Sequence, residues 1–162
     1  NRGIYLEDLV DAEPSSFCVG VAGYPEKHYA SPNLRTDIRN LKEKVEAGAD
    51  YVVTQMFFDN AAYYRFVESC RAEGISVPII PGLKIIHSRH QLTSIPLNFH
   101  INIPFELSEE ILRSDEDHAE ETGVHWAARQ AEDLLNHGVP AIHFYVTGQS
   151  DPIAKVMPLL GL

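Results

Sequence analysis

The sequence predicts an α/β fold in which a parallel sheet is covered by helices. Short apolar runs alternate four times with segments of helical periodicity, which is the pattern of repeated strand–helix units. The runs are continuous in apolar character, as strands of a parallel sheet are. Glycines also stop helical segments just before the next strand is due.

The first strand is predicted at "FCVGVAG", residues 17–23, ending in Gly23. "YPEKHYASPN" follows as a loop, because Pro, Ser and Asn cluster in it. Apolar residues at Leu34, Ile38, Leu41 and Val45 then repeat at helical spacing, and Gly48 stops the helix. "YVVTQMFF", 51–58, is the second strand, and 61–74 is a helix closed by Gly74. The third strand is "VPIIPGLKII", 77–86, predicted to break at Pro81-Gly82. A short helix is predicted over 88–97, and 103–138 reads as helical in two pieces, with the acidic run "SDEDHAEE" as a solvated helix start. "PAIHFYVTG", 140–148, is the fourth strand. Ser150-Asp151 and Pro152 open a final apolar helix as cap and first-turn proline.

With 162 residues and 44% apolar content, residues 1–162 form one domain with a core. A formal net charge of −10 argues against nucleic-acid binding, which needs a basic face, but leaves room for a locally basic pocket. No apolar run is long enough to span a bilayer, so no membrane partner is expected. Cys18 lies in an apolar run and is expected to be a buried thiol. The two cysteines form no metal motif, and a reducing, cytoplasmic setting fits them. Among the eight histidines, His87/His90 and His118/His125 lack a carboxylate at ligand spacing, so no metal site is expected. His100 and His118 read as exposed, and His137 as a helix-end residue; His143 reads equally as facing the sheet interior or as a core histidine. The aromatics Phe57, Phe58, Tyr63, Tyr64 and Trp126 read as core, with Phe57 or Phe58 alone able to serve also in a ligand stack. No nucleophile elbow is present.

In parallel α/β folds, chemistry gathers at the carboxyl ends of the strands. Tyr24, Glu26 and His28 follow the first strand, and Gln55 and Asp59 the second. Lys84, His87, Arg89, His90 and Gln91 follow the third, and Tyr145, Thr147 and Gln149 the fourth. Two architectures compete: an open doubly wound sheet, or part of a (β/α)8 barrel. No G-x-G-x-x-G opens a helix, so the dinucleotide fingerprint of the open sheet is missing. A full barrel needs about 250 residues, and this chain holds about half of one.

"VAGYPEKH", "DIRNLKEKVEAGADYVVTQMFFD", "IIPGLKII" and "HFYVTG", in this order and at these spacings, resemble methylenetetrahydrofolate reductase from about Phe17 to Gly148. The resemblance implies an α/β (β/α)8 TIM barrel, of which this chain supplies about the last four strand–helix units. The activity it implies is FAD-dependent, ping-pong reduction of 5,10-methylenetetrahydrofolate to 5-methyltetrahydrofolate, with NADH or NADPH as co-substrate. It also implies a homo-oligomer when full length.

By the same resemblance, Tyr24 and His28 contact FAD, and Asp37, Asn40 and Lys44 hold its ribose and phosphate portion. Gln55 is the catalytic glutamine that bonds the folate pterin and, in turn, the nicotinamide amide, and Gln91 is a second substrate contact. Asp37, Asn40 and Lys44 are three and four apart, so they share a helix face; on spacing alone an ordinary solvated face is the stronger reading. The chain departs from the family at Gln149, where a basic residue is common, at Ile95, where an aromatic occurs, and at Glu43, where a basic residue lies near the FAD site. The family's general-acid glutamate belongs to the first strand and a flavin-proximal aspartate to the first half, and neither is here. With Asn1 in place of an initiator methionine, the expectation is the carboxyl half of such a reductase, inactive by itself. A third reading, an aldolase-type phosphate-binding barrel, has Lys84 as its only positional candidate for a Schiff base.

Overall fold

The structure is a computed structural model and describes residues 13–115, 118–146, 148 and 150–162. Among these, four strands and six helices follow in the order β1 (Gly20–Gly23), α1 (Leu34–Glu46), β2 (Tyr51–Met56), α2 (Asn60–Ala72), β3 (Ile79–Leu83), α3 (Gln91–Phe99), α4 (Phe105–Arg113), α5 (Ala119–Asn136), β4 (His143–Phe144) and α6 (Asp151–Leu159). The predicted helices are all present. Asn33 and Asp59 accept from the backbone N–H groups of Thr36 and Ala61 and cap α1 and α2. Gly48 and Gly74, at φ +112° and +85°, carry the chain out of them. Ser150 makes no side-chain capping bond, so α6 starts from Asp151 and Pro152 instead.

The strands are all parallel and lie in the order β1-β2-β3-β4. Each strand therefore sits beside its neighbour in sequence, with no reversal. Barrel units are laid out this way, whereas a doubly wound sheet reverses at its switch point. The main core joins α1, α2 and α5 to one face of the sheet through Ile38, Leu41, Val52, Phe66, Leu83 and Leu134. On β2, Val52, Thr54 and Met56 are buried, while Tyr51, Val53 and Gln55 on the opposite face are only half-buried. The second face is thus partly open, contrary to strands buried on both sides.

All four strands are shorter than expected, and β2 ends at Met56 instead of Phe58. β1 covers only the last four residues of 17–23, where Gly20 lets the Tyr51 ring lie across the backbone. β3 runs through Pro81-Gly82 without breaking. Gly82 N–H faces β2, so the neighbouring Pro81 nitrogen faces β4, whose pairing begins only at His143, and no ladder donor is lost. β4 pairs over two residues only, as an edge strand with one neighbour.

Cys18 is exposed, not buried, because the segment before β1 stays outside the core. Cys70 is the buried thiol, and burial pushes its pKa up to about 12. Ellman's reagent is therefore expected to modify Cys18 at once in the native protein, and Cys70 only after denaturation. Rapid modification of both without denaturant would contradict the packing of α2. Phe57 and Phe58 are fully buried, and His100 and His118 are exposed, as read from the sequence. No helix among the described residues is long and apolar enough to cross a membrane.

Candidate functional site

The β2 strand delivers Gln55 through a local irregularity. Val53 pairs with Ile80 and Met56 with Gly82, so β2 spends three residues where β3 spends two. Such a bulge leaves backbone groups unpaired and re-aims a side chain. Thr54 Oγ1 accepts the Gly82 N–H at 2.9 Å, a bond a backbone carbonyl would otherwise accept. The Thr54 carbonyl accepts instead from the Tyr145 hydroxyl at 2.8 Å. The Met56 N–H donates to Gln55's own Oε1 at 3.0 Å. The glutamine therefore satisfies the bulge with its oxygen, and its amide NH2 is the end that remains for a partner.

Around Gln55 the chain builds a cleft of about 130 Å3. Tyr24, Pro25, Glu26 and His28 form one wall, and Phe99, His100 and Ile101 form the other. Small-molecule sites begin near ~300 Å3, so these residues supply part of a site and not a whole one. Tyr24 and His28 meet edge to face, with ring centroids 4.6 Å apart, and Tyr29 and His100 extend the row of rings outward. Burial, then the charge of Asp37, raises the Tyr24 phenol above its usual value, and burial and Tyr24 do the same to Tyr145. Both phenols are hydrogen-bond donors at neutral pH.

The predicted residues divide. Tyr24, His28 and Gln55 come together in the cleft. Asp37 does not share the solvated face of α1. It is 9% exposed, with Oδ2 accepting from His28 N–H at 2.9 Å and Oδ1 from Ser31 Oγ at 2.9 Å. It pins the loop that carries His28. Asp37→Ala strands both donors and is expected to cost about 2–3 kcal/mol of stability in urea denaturation, while Asp37→Asn retains much of it. Equal losses for both would remove Asp37 from this role.

Asn40 and Lys44 stand exposed on one stripe of α1 and make no side-chain hydrogen bond among the described residues. A carboxamide and an ammonium so placed fit a diphosphate. Gln91 does not line the Gln55 cleft. Its Oε1 accepts from His87 N–H at 2.9 Å, and its Nε2 lies 2.9 Å from His87 Nε2. Ile95 is buried in the cluster beneath α3, and Glu43 is exposed. Thr147 and Gln149 lie outside the described residues. His143 is exposed and meets Tyr145 edge to face at 4.5 Å, which places it off the core. Lys84 is buried, and burial pushes its amine below the usual lysine range; it lines a separate cleft with His87 and Tyr145. No group of three His, Cys, Asp or Glu able to hold a metal occurs among the described residues.

Sequence reading missed Lys27 and Asn102. Lys27 adopts φ +88°, and its ammonium donates to the carbonyls of His28, Tyr29 and Ser31. Asn102 donates its backbone N–H to Glu26 at 2.8 Å, and its side-chain amide to the same oxygen. The Pro before Glu26 signalled the turn, but nothing local marks a contact across 76 residues.

Sequential parallel strand–helix units with a polar cleft at the strand ends define an α/β protein built on a four-stranded parallel sheet. The family model for methylenetetrahydrofolate reductase matches residues 5–161. The chain belongs to the methylenetetrahydrofolate reductase family. It is 36% identical over 163 aligned positions to the 5,10-methylenetetrahydrofolate reductase of Buchnera aphidicola from Schizaphis graminum, covering 98% of this chain and 56% of that one. It is 33% identical over 149 residues to a probable methylenetetrahydrofolate reductase (NADPH) of Caenorhabditis elegans, covering 90% of this chain and 22% of the relative. The chain thus spans about half the length of the bacterial relative and less of the animal one. Among solved structures, a Clostridium thermocellum protein described as binding two copies of 5-methyl-5,6,7,8-tetrahydrofolic acid shares the fold, with TM-score 0.63, 18% identity and coverage of 88% of this chain and 52% of that one.

Proposed function

We propose that the intact protein reduces 5,10-methylenetetrahydrofolate to 5-methyltetrahydrofolate with FAD and NADH or NADPH, and that this chain supplies the carboxyl half of its (β/α)8 barrel. The observation that carries this reading is Gln55. In a chain of this family, a bulge turns a half-buried carboxamide onto the open sheet face, in a cleft with Tyr24 and His28. The half-open face of β2 and the small volume of the cleft support a missing second half that completes both.

FAD, when bound, supplies the hydride-carrying chemistry. The residues on α1 fit it: Lys44 and Asn40 would hold the diphosphate region, and Asp37 seats the loop of His28. The Gln55 amide donates to whichever heterocycle occupies the cleft and so orients it. Gln91 is held by His87 through both ends of its amide, each with one hydrogen-bonding position left for substrate.

The test is turnover by the intact protein. Flavin absorbance in the purified protein and conversion of 5,10-methylenetetrahydrofolate by NADH or NADPH are expected; a colourless protein without folate turnover would overturn the proposal. A second reading concerns the chain alone. Lacking the opposing half of the cleft, residues 1–162 are expected to be inactive and to retain no stoichiometric flavin, which visible absorbance of the purified chain checks directly.

A further inference from the structure

We infer that Glu26 and Asn102 form a positioning pair that holds the two walls of the Gln55 cleft together. The inference rests on the proposed function for its kinetic readout, but not for its structural one. The two walls come from distant parts of the chain. One is the turn after β1, where Lys27 N–H donates to the Tyr24 carbonyl at 3.1 Å. The other is the end of α3, where His100 adopts φ +54° and the chain turns toward α4. Both walls contain a non-glycine residue in the left-handed region, a strained conformation that persists only where surrounding contacts impose it.

The turn after β1 is held from below and from within. Asp37 accepts from His28 and Ser31, and the Lys27 ammonium gathers three carbonyls. Those contacts fix the turn to its own loop and to α1, and none reaches the far wall. Glu26 does. One of its carboxylate oxygens accepts both the backbone and the side-chain N–H of Asn102, directly after Ile101 in the second wall. A carboxylate is an acceptor only, and Asn102 meets it with two donors, its backbone N–H and its side-chain NH2. Glu26 is half-buried, so the contact is partly shielded from solvent. Neither residue touches the Gln55 amide in the structure. Their effect on a ligand passes through Tyr24 and His28 on one side and His100 and Ile101 on the other, which makes them positioning residues.

The experiment uses the intact reductase. Glu26→Ala and Asn102→Ala are each expected to raise the KM for methylenetetrahydrofolate about tenfold with kcat little changed, the size of one charge-assisted hydrogen bond. Because Asn102→Ala keeps the backbone N–H bond to Glu26, the double Ala variant is expected to match Glu26→Ala and not the sum of the two. Glu26→Gln keeps a carboxamide oxygen able to accept from Asn102 and is expected to recover most of the KM. Hydrogen exchange read on the peptide covering 98–102 gives an activity-free measure, with faster exchange in both single Ala variants and recovery in Glu26→Gln. Additive effects, or unchanged exchange and KM in the single variants, would overturn the pairing. If wild-type protein turns over no folate, the proposed function fails, and the exchange data alone decide the pair.

Discussion

Gly82→Ala is expected to lower stability by about 2–4 kcal/mol and to disable the site at the same time. A Cβ at this position would overlap the Thr54 carbonyl oxygen and stand 2.6 Å from Tyr145 Cε2. Gly82 is the saddle over which the Tyr145 ring crosses from β4 to reach β2. The Thr54 carbonyl is backbone held in the bulge and cannot yield, so the tyrosine must leave and its hydrogen bond to Thr54 is lost. The Gly82 N–H to Thr54 Oγ1 bond, which defines the bulge, is strained by the same movement. Gln55 sits at that bulge, so turnover is expected to fall together with the urea midpoint. Stability and turnover both equal to wild type would mean that the crossing of Tyr145 over Gly82 is wrong.

The second large effect is expected at Gly123→Ala. Glycine in the middle of an 18-residue helix normally costs about 1 kcal/mol relative to alanine, so a substitution judged by propensity stabilises. Here the sign reverses. The added Cβ would overlap the Ile86 carbonyl oxygen and lie 2.8 Å from its carbon. α5 would have to lift off the segment after β3, loosening Ala119 and Val124 from the two clusters they help to form. Overpacking of this kind costs about 1–3 kcal/mol or more, and it outweighs the propensity gain. Thermal unfolding checks it: a lowered midpoint is expected, and a raised one would show that α5 is not pressed onto Ile86.

How much of this was legible in the sequence depends on the range of the interactions. Leu34, Ile38, Leu41 and Val45 announced α1 because a helix face is a local period, and all four pack toward the main core. Gly48 and Gly74 announced their stops because a left-handed residue leaves a compositional mark. Asp37 was misplaced for the same reason. Its spacing put it with Asn40 and Lys44, but the loop folds back over it and turns a surface position into a buried acceptor. The continuous apolar character of "YVV" hid the half-open face of β2, because apolar composition does not report which face is covered. At Gln55, strand position identified the right end of the sheet, while the bulge that aims it depends on Thr54 meeting Gly82, 28 residues away.

The central claim is that the Gln55 amide NH2, presented by the bulge, contacts the folate substrate. Gln55→Glu separates this role from the fold, because a glutamate oxygen can still accept the Met56 N–H while the NH2 donors are gone. The decisive measurement is 5,10-methylenetetrahydrofolate reduction by the intact Gln55→Glu protein, with its flavin content determined in the same preparation. The predicted result is full flavin content and kcat/KM for folate lower by about ten- to a hundredfold, as loss of one hydrogen bond to a polar ligand gives. Unchanged folate kinetics would contradict the claim and remove Gln55 from the site.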